Sequence, residues 1–297
     1  LLPVDEAGVP LRPAILYGID TRATREIDEL TERFGAEAIL ARGGTLLTAQ
    51  AVGPKLAWLR RNEPEVWART KRVHMANSLV IERLTGEYVL DHHSASQCDP
   101  LYDMGAAAWA ADWAAEVAPG LALPRLAWSD EVVGRVHAGG SAATGIPAGT
   151  PVVAGTIDAW AEALSVGVRD PGDTMLMYGT TMFMVQVAAD PSPRPALWLT
   201  AGVFRGGPTF AAGLSVSGGL TQWFRDVVGG EGAGVTNQRF PEREVEVHRT
   251  RGMPNRAGDG ARGDRAQVAQ RGPRDGGRRD LEELAHERPV QTQLVDR

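Results

Sequence analysis

The sequence predicts an α/β fold, and three observations carry that reading. From Leu1 to about Gly230, periodic apolar segments alternate with Gly/Pro turns. From Pro151 onward the order reads strand, helix, hairpin, strand, helix, which is how a new α/β unit begins. The chain has 297 residues, 43% of them hydrophobic, enough for one large core or two smaller ones.

The elements follow in order. The apolar run AILYGID suits a short strand, and TREIDELTERFGAEAILA has helical spacing with breaks at Gly35 and Gly43. In GPKLAWLRRNEPEVWARTKRVHMANSLVIERLTGE, Lys55, Leu56, Trp58 and Leu59 open one helix. Pro64 begins another, at a position where the missing N–H would be unsatisfied anyway. The Ala-rich DMGAAAWAADWAAEVA reads as a helix that stops at Pro119-Gly120. At Pro147 the character changes: IPAGTPVVAGTID is a turn and a β-branched buried strand, and DAWAEALSVGV is a helix starting at its end. TMLMYGTTMFMVQV places two apolar runs around Gly179-Thr180 and predicts a hairpin. PTFAAGLSVSGG is a third candidate strand, followed by the helix-like LTQWFRDVV. The expected division is 1–149, 150–230 and a tail, 231–297.

Composition excludes several classes. The net charge of -6 gives no general attraction to nucleic acid. No run of about 18 uncharged apolar residues exists to span a bilayer, and the opening LLPVDEAGVP lacks signal-peptide order, so the expected compartment is the cytoplasm. Cys98 is the only cysteine, which rules out an internal disulfide and a thiolate cluster. Lys55 and Lys71 are the only lysines; the arginine excess reads as coding bias. The tail holds 13 Arg and 12 Asp/Glu, so it is nearly neutral, and it has too few large apolar residues to build a core. It is expected to be disordered or read from a shifted frame. RTRGMPNRAGDGARGDRAQVAQRGPRDGGRRD offers no aromatic ring to stack on bases, which speaks against an RNA-binding arm.

The chemistry concentrates in residues 154–184. Asp158 follows a strand and begins a helix, so it is either an N-cap or a base at the carboxyl end of a strand, where α/β proteins bind ligands. Gly179-Thr180-Thr181 is either a plain hairpin turn or a cradle whose N–H groups and hydroxyls hold phosphate oxygens. A base for the acceptor and a cradle for the donor are together what phosphoryl transfer requires.

The stretch AGTIDAWAEALSVGVRDPGDTMLMYGTTMFM resembles the FGGY carbohydrate kinases, the group that contains xylulokinase, ribulokinase and glycerol kinase. Four earlier stretches support it in order: PLRPAILYGIDTRA, GPKLAWLRRNEPE, ERLTGEYVLDHHSAS and LYDMGAAAW. The resemblance runs from about Leu1 to Gly230. It implies a ribonuclease H-like fold of the actin and hexokinase type, with a sugar-binding domain over 1–149 and the start of a nucleotide-binding domain over 150–230. It implies that Asp158 is the general base and touches the sugar, that Gly179, Thr180 and Thr181 hold the donor phosphate, and that Asp20 and Arg22 lie near the sugar side of the cleft. An exposed ion pair is an equally open reading of Asp20 and Arg22. ATP, Mg²⁺ and a small sugar are the implied partners, with no nucleic acid and no membrane. PLRPAILYGIDTRA is closer to the pentulose kinases than to glycerol kinase, which ranks a ketopentose such as xylulose or ribulose first.

The sequence also departs from the family. Gln50 and Val52 stand where a small residue and Ser or Thr are usual, and His92 and His93, in the loop after the TGE turn, read as surface residues without a role. The family's Gly-rich GIDxGTxxxK strand and its long adenine-binding segment have no counterpart in the sequence. The expectation is an incomplete fold with an uncovered strand edge that promotes self-association. Three functions compete: an ATP-dependent sugar kinase, an inactive remnant with weak sugar binding, and an actin- or chaperone-like nucleotide module, against which the sugar-kinase segments argue.

Overall fold

Leu2–Val4 (β1) pairs antiparallel with Arg72–His74 (β2), and the long excursion between them carries four helices. These are Thr24–Phe34 (α1), Ala36–Gly43 (α2), Val52–Asn62 (α3) and Pro64–Arg69 (α4). Gly44 ends α2 in the left-handed region at φ 89° and donates its N–H to the Leu40 carbonyl, a closure open to Gly at little steric cost. Pro64 occupies the start of α4, as its lack of an N–H predicts. Ala76–Thr85 (α5) follows β2, and Val89–Asp91 (β3) runs parallel to Arg125–Ala127 (β6). Between those two lie His92–Ser96 (α6), the hairpin of Tyr102–Asp103 (β4) and Ala108–Trp109 (β5), and Ala111–Val117 (α7). The computed structural model describes residues 1–228; the expected disordered or frame-shifted tail at 231–297 lies outside them.

Val132–Arg135 (β7) pairs antiparallel with Pro151–Val153 (β8), with Ala138–Thr144 (α8) between. Asp158–Ser165 (α9) comes next, and then Thr174–Tyr178 (β9), Met182–Val187 (β10), Trp198–Thr200 (β11) and Thr209–Leu214 (β12). These four strands form an antiparallel sheet in the order β11-β12-β10-β9, and Gly218–Val228 (α10) ends the described chain. Two clusters do most of the packing. Leu56, Leu90, Leu101, Tyr102, Val117 and Trp128 fill the first. Trp160 and Ala163 of α9 press onto Met175, Val185, Val187 and Ala211 of the sheet to form the second. Among the described residues no helix is long and apolar enough to cross a membrane.

The predicted helices over 24–43, the helix pair around Pro64, the hairpin at 174–187 and the helix after Ile157 all form. Three readings need correction. AILYGID is not a strand: only Ile15 is buried, while Leu16, Tyr17 and Ile19 are 55%, 74% and 80% exposed. Pro13 precedes the run and a left-handed Gly18 at φ 67° breaks it; its main-chain bonds to the rest of the described chain are the pair between Ile15 and Leu1 and one from Lys55 to the Leu16 carbonyl. The Ala-rich run from Asp103 begins as a hairpin and turns helical only at Ala111. Asp103 Oδ1 accepts from the Ala106 N–H and Ala107 takes φ 48°, so local turn bonding overrides alanine's helix propensity. The strand at Pro151–Val153 is not deeply buried: Val153 is 47% exposed, because β8 has one neighbour, β7, and covers only its Val152 side.

Candidate active site

The chain reaches Asp158 along a fixed path. After β8 the N–H groups of Ala154 and Gly155 bond to the carbonyls of Glu131 and Ser129 at 3.0 Å each, and Ile157 caps α9 with extended backbone. Asp158 is the first helical residue rather than the N-cap that local pattern allowed. Its side chain is exposed and accepts only the Ala159 N–H, at 2.8 Å. The shift by one position has a simple cause: the apolar Ile157 side chain packs on the Trp160 cluster, which places it ahead of the first turn. The carboxylate is thereby left open to solvent, where it can take a proton from a bound hydroxyl.

The hairpin tip is fixed from two sides. Tyr178 pairs with Met182 across the three-residue turn Gly179-Thr180-Thr181, and the Gly179 N–H bonds to the Thr181 carbonyl at 2.9 Å. The start of α10 then grips the tip: Ser217 and Gly219 N–H groups bond to the Thr180 carbonyl, and the Gly218 N–H bonds to the Gly179 carbonyl. A Cβ on Gly218 would sit 2.5 Å from that carbonyl, so the approach requires glycine. Thr180 and Thr181 remain exposed, with hydroxyls open to an incoming phosphate.

Asp20 and Arg22 form an ion pair with each other at 2.8 Å. The Arg22 hydrogen bond holds the Asp20 carboxyl below its ordinary range. Arg22 also lies 4.7 Å above the Trp58 ring of α3, and buried Lys55 donates to the Leu16 carbonyl at 2.8 Å. Among the described residues no hydrogen bond or ion pair links this group to Asp158 or to the hairpin tip.

Sequence reasoning missed the most constrained polar residues. His92 and His93 are 8% and 0% exposed, not surface groups. His92 stacks on Trp128 at 4.2 Å and bonds to the Tyr102 hydroxyl at 2.8 Å. His93 lies 3.8 Å from the Trp160 ring, and complete burial pushes its imidazole down to about 3. The small Ser-Ala-Ser residues that follow them, in the short helix directly after a buried strand, were the available signal. Asp91 at the end of β3 is wholly buried; it accepts from Asn77 Nδ2 at 2.6 Å, the Ser94 N–H at 3.0 Å and Thr156 Oγ1 at 3.2 Å. Burial raises its carboxyl.

A second grouping has the order of a hydrolytic triad. Ser78 Oγ is 3.3 Å from His74 Nδ1, and Glu82 is 2.6 Å from His74 Nε2. Ser78 and His74 are each 1% exposed, and the hydroxyl is spent on the Met75 carbonyl, so no substrate reaches it. It is a helix-start brace.

Residues 1–165 match the model for the FGGY family of carbohydrate kinases, N-terminal domain. The chain belongs to this family. A xylulose kinase from Streptomyces coelicolor is 38% identical over 189 residues, covering 61% of this chain and 37% of that protein. A glycerol kinase from Nocardia farcinica is 30% identical over 234 residues, covering 75% and 45%. The crystal structure of a xylulose kinase from Rhodospirillum rubrum aligns with TM-score 0.73 and 30% identity, over 78% of this chain and 47% of that one. The fold expected from the sequence is therefore present in part: the chain carries a portion of the actin- and hexokinase-like kinase fold and spans about half the length of the relatives it matches, or less.

The described residues include no group of three or more His, Cys, Asp or Glu able to hold a metal ion. A Mg²⁺ ion here would take its ligands mainly from nucleotide phosphates and water, as such ions commonly do. The exposed tip with its two hydroxyls fits a phosphate.

Proposed function

We propose that the chain carries the acceptor base and the donor-phosphate loop of an ATP-dependent kinase acting on a ketopentose such as xylulose or ribulose. The observation that carries this reading is the exposure of Asp158: a carboxylate at the end of a strand-to-helix connection, pinned by its backbone yet hardly used by its own helix. In this account Asp158 accepts the proton of a primary sugar hydroxyl as that oxygen attacks the terminal phosphoryl group. Thr180 and Thr181 donate hydroxyl hydrogen bonds to the transferred group, with Gly179 allowing close approach. Asp20 and Arg22 line the sugar side. Bound Mg²⁺ would screen the phosphate charge. Residues 1–149 then form the sugar-binding part and 150–230 the start of the nucleotide-binding part.

Xylulose is placed first because a curated relative and a solved structure at 30% identity or more are both called xylulose kinases. Xylulose-dependent ADP formation, compared with ribulose and glycerol, tests the assignment; a preference for glycerol would overturn it.

One observation favours a second reading, an inactive sugar-binding remnant. Leu176 and Tyr178 on edge strand β9, with Trp223 and Phe224 on α10, are 42% to 61% exposed, an uncovered apolar face beside the tip. Xylulose binding without ADP formation would select that reading.

A further inference from the structure

Asp158 is exposed and held by a single hydrogen bond, but the residues two positions to either side of it are anchored firmly. Thr156 Oγ1 donates to Asp91 Oδ2 at 3.2 Å, across 65 residues of sequence. Trp160 is 3% exposed, donates its indole N–H to Thr209 Oγ1 at 2.8 Å, and packs with its ring centroid 3.8 Å from that of His93. Asp91 and His93 sit two residues apart where β3 passes into α6. One short buried turn therefore grips the chain just before and just after the exposed carboxylate.

The turn is itself rigid. Asp91 Oδ1 accepts from Asn77 Nδ2 on α5, and Oδ2 also accepts from the Ser94 N–H, which closes α6. His93 Nε2 accepts from Gln97 Nε2 at 2.8 Å. Ser96, on the same turn, accepts the Ala201 N–H at 3.1 Å, beside β11 of the sheet. A buried carboxylate whose bonds all go to fixed partners makes a stiff mount, because leaving any of those donors unpaired is costly.

We infer that Asp91 and His93 are positioning residues that set where the Asp158 carboxylate stands, through Thr156 and Trp160 respectively. This rests on the reading of Asp158 as the base. Misplacing a reacting group by about 1 Å can cost on the order of a hundredfold in rate, so a clamp on both sides of an otherwise free carboxylate has a catalytic consequence.

Removing His93 opens a hole in the core and risks the fold, so Thr156→Val carries the test; it keeps the side-chain shape and removes one donor. In the full 297-residue chain, carbon-13 NMR of labelled aspartates locates the Asp158 carboxyl by its loss in Asp158→Asn. Thr156→Val is expected to move that carboxyl resonance and the Trp160 indole N–H, and Thr156→Ser to restore both. Xylulose-dependent ADP formation, read on the same variants, should fall between about tenfold and a hundredfold in kcat for Thr156→Val, with KM for xylulose nearly unchanged. Resonances that stay in place in folded Thr156→Val would overturn the inference, even where Asp158→Asn abolishes turnover. If the resonances move while Asp158→Asn leaves turnover as it was, the clamp stands and the base assignment fails; where the chain forms no ADP, the resonances alone decide the clamp.

Discussion

The Ser217 hydroxyl donates to the Gly179 carbonyl at 3.0 Å and so ties the start of α10 to the hairpin tip. The backbone N–H groups of Ser217, Gly218 and Gly219 add three more bonds to the carbonyls of Gly179 and Thr180. With those carbonyls occupied, Thr180 and Thr181 stay exposed at the end of a turn held from two sides. In a catalytically complete kinase, Thr180→Val should raise the KM for ATP more than that for sugar. Ser217→Ala removes one of the four bonds, about 1 kcal/mol, and should raise the KM for ATP about fivefold. Nucleotide dependence that stays unchanged in both variants would remove the tip from the phosphate site.

Asp158→Ala separates chemistry from structure. Its carboxylate makes one local hydrogen bond at the first turn of α9, so stability should fall by no more than about 1 kcal/mol, the scale of a charge at a helix N-terminus. Turnover should fall by roughly two to four powers of ten, with little change in sugar affinity. Thermal unfolding and steady-state kinetics on the same preparation distinguish the two. A turnover loss under tenfold, or a large stability loss, would make Asp158 a helix residue and nothing more.

His93 predicts an acid limb in the stability profile. Its folded imidazole titrates at about 3, against an ordinary value of 6.5, because it is wholly buried. Below about pH 6.5 the unfolded chain takes up a proton that the folded chain refuses. The stability this residue contributes is thus complete above that pH and is lost at about 1.4 kcal/mol per pH unit as pH falls toward 3. Buried Asp91 and Asp99 act in the opposite sense: burial raises both carboxyls, so their contribution is present at low pH and lost as pH rises. Denaturant unfolding of wild type against a folded His93→Gln chain cancels the carboxylates. The difference should grow steadily from pH 6 to pH 4; a constant difference would contradict the burial.

The parts of the fold that were legible in sequence are those set by local pattern. Gly35 and Pro64 punctuate helices, although the second expected break, Gly43, is the last residue of α2 and the helix closes on Gly44; the alternating runs around Gly179 make a hairpin whatever packs behind them. AILYGID misled because an apolar run becomes a strand only where it finds a neighbouring strand, and among the described residues this one's main chain bonds outside itself only to Leu1 and to the Lys55 ammonium. The site divides in the same way. Asp158 and the tip stood out because strand-helix and strand-turn boundaries are local. Asp91 and His93 did not, because their partners, Thr156 and Trp160, are more than 60 residues away and only tertiary packing unites them.

The uncovered face predicts self-association. Edge strand β9 bonds only to β10, and it carries no charged residue or proline to discourage pairing. Beside it on α10, Leu220, Trp223, Phe224 and Val227 are 53% to 62% exposed. The 297-residue chain should sediment as oligomers, and Leu176→Lys with Trp223→Lys should shift it toward monomer. A monodisperse wild-type monomer would show that this face is covered.

The most direct test of the account uses a chimaera in which the segments of the Streptomyces coelicolor xylulose kinase that this chain does not match are supplied around residues 1–228. Xylulose-dependent ADP formation is measured for this protein and for its Asp158→Asn variant. The account predicts turnover that drops at least about a hundredfold in the variant while xylulose binding persists. Turnover within tenfold of the parent would contradict the assignment of Asp158 as the base that accepts the sugar's proton.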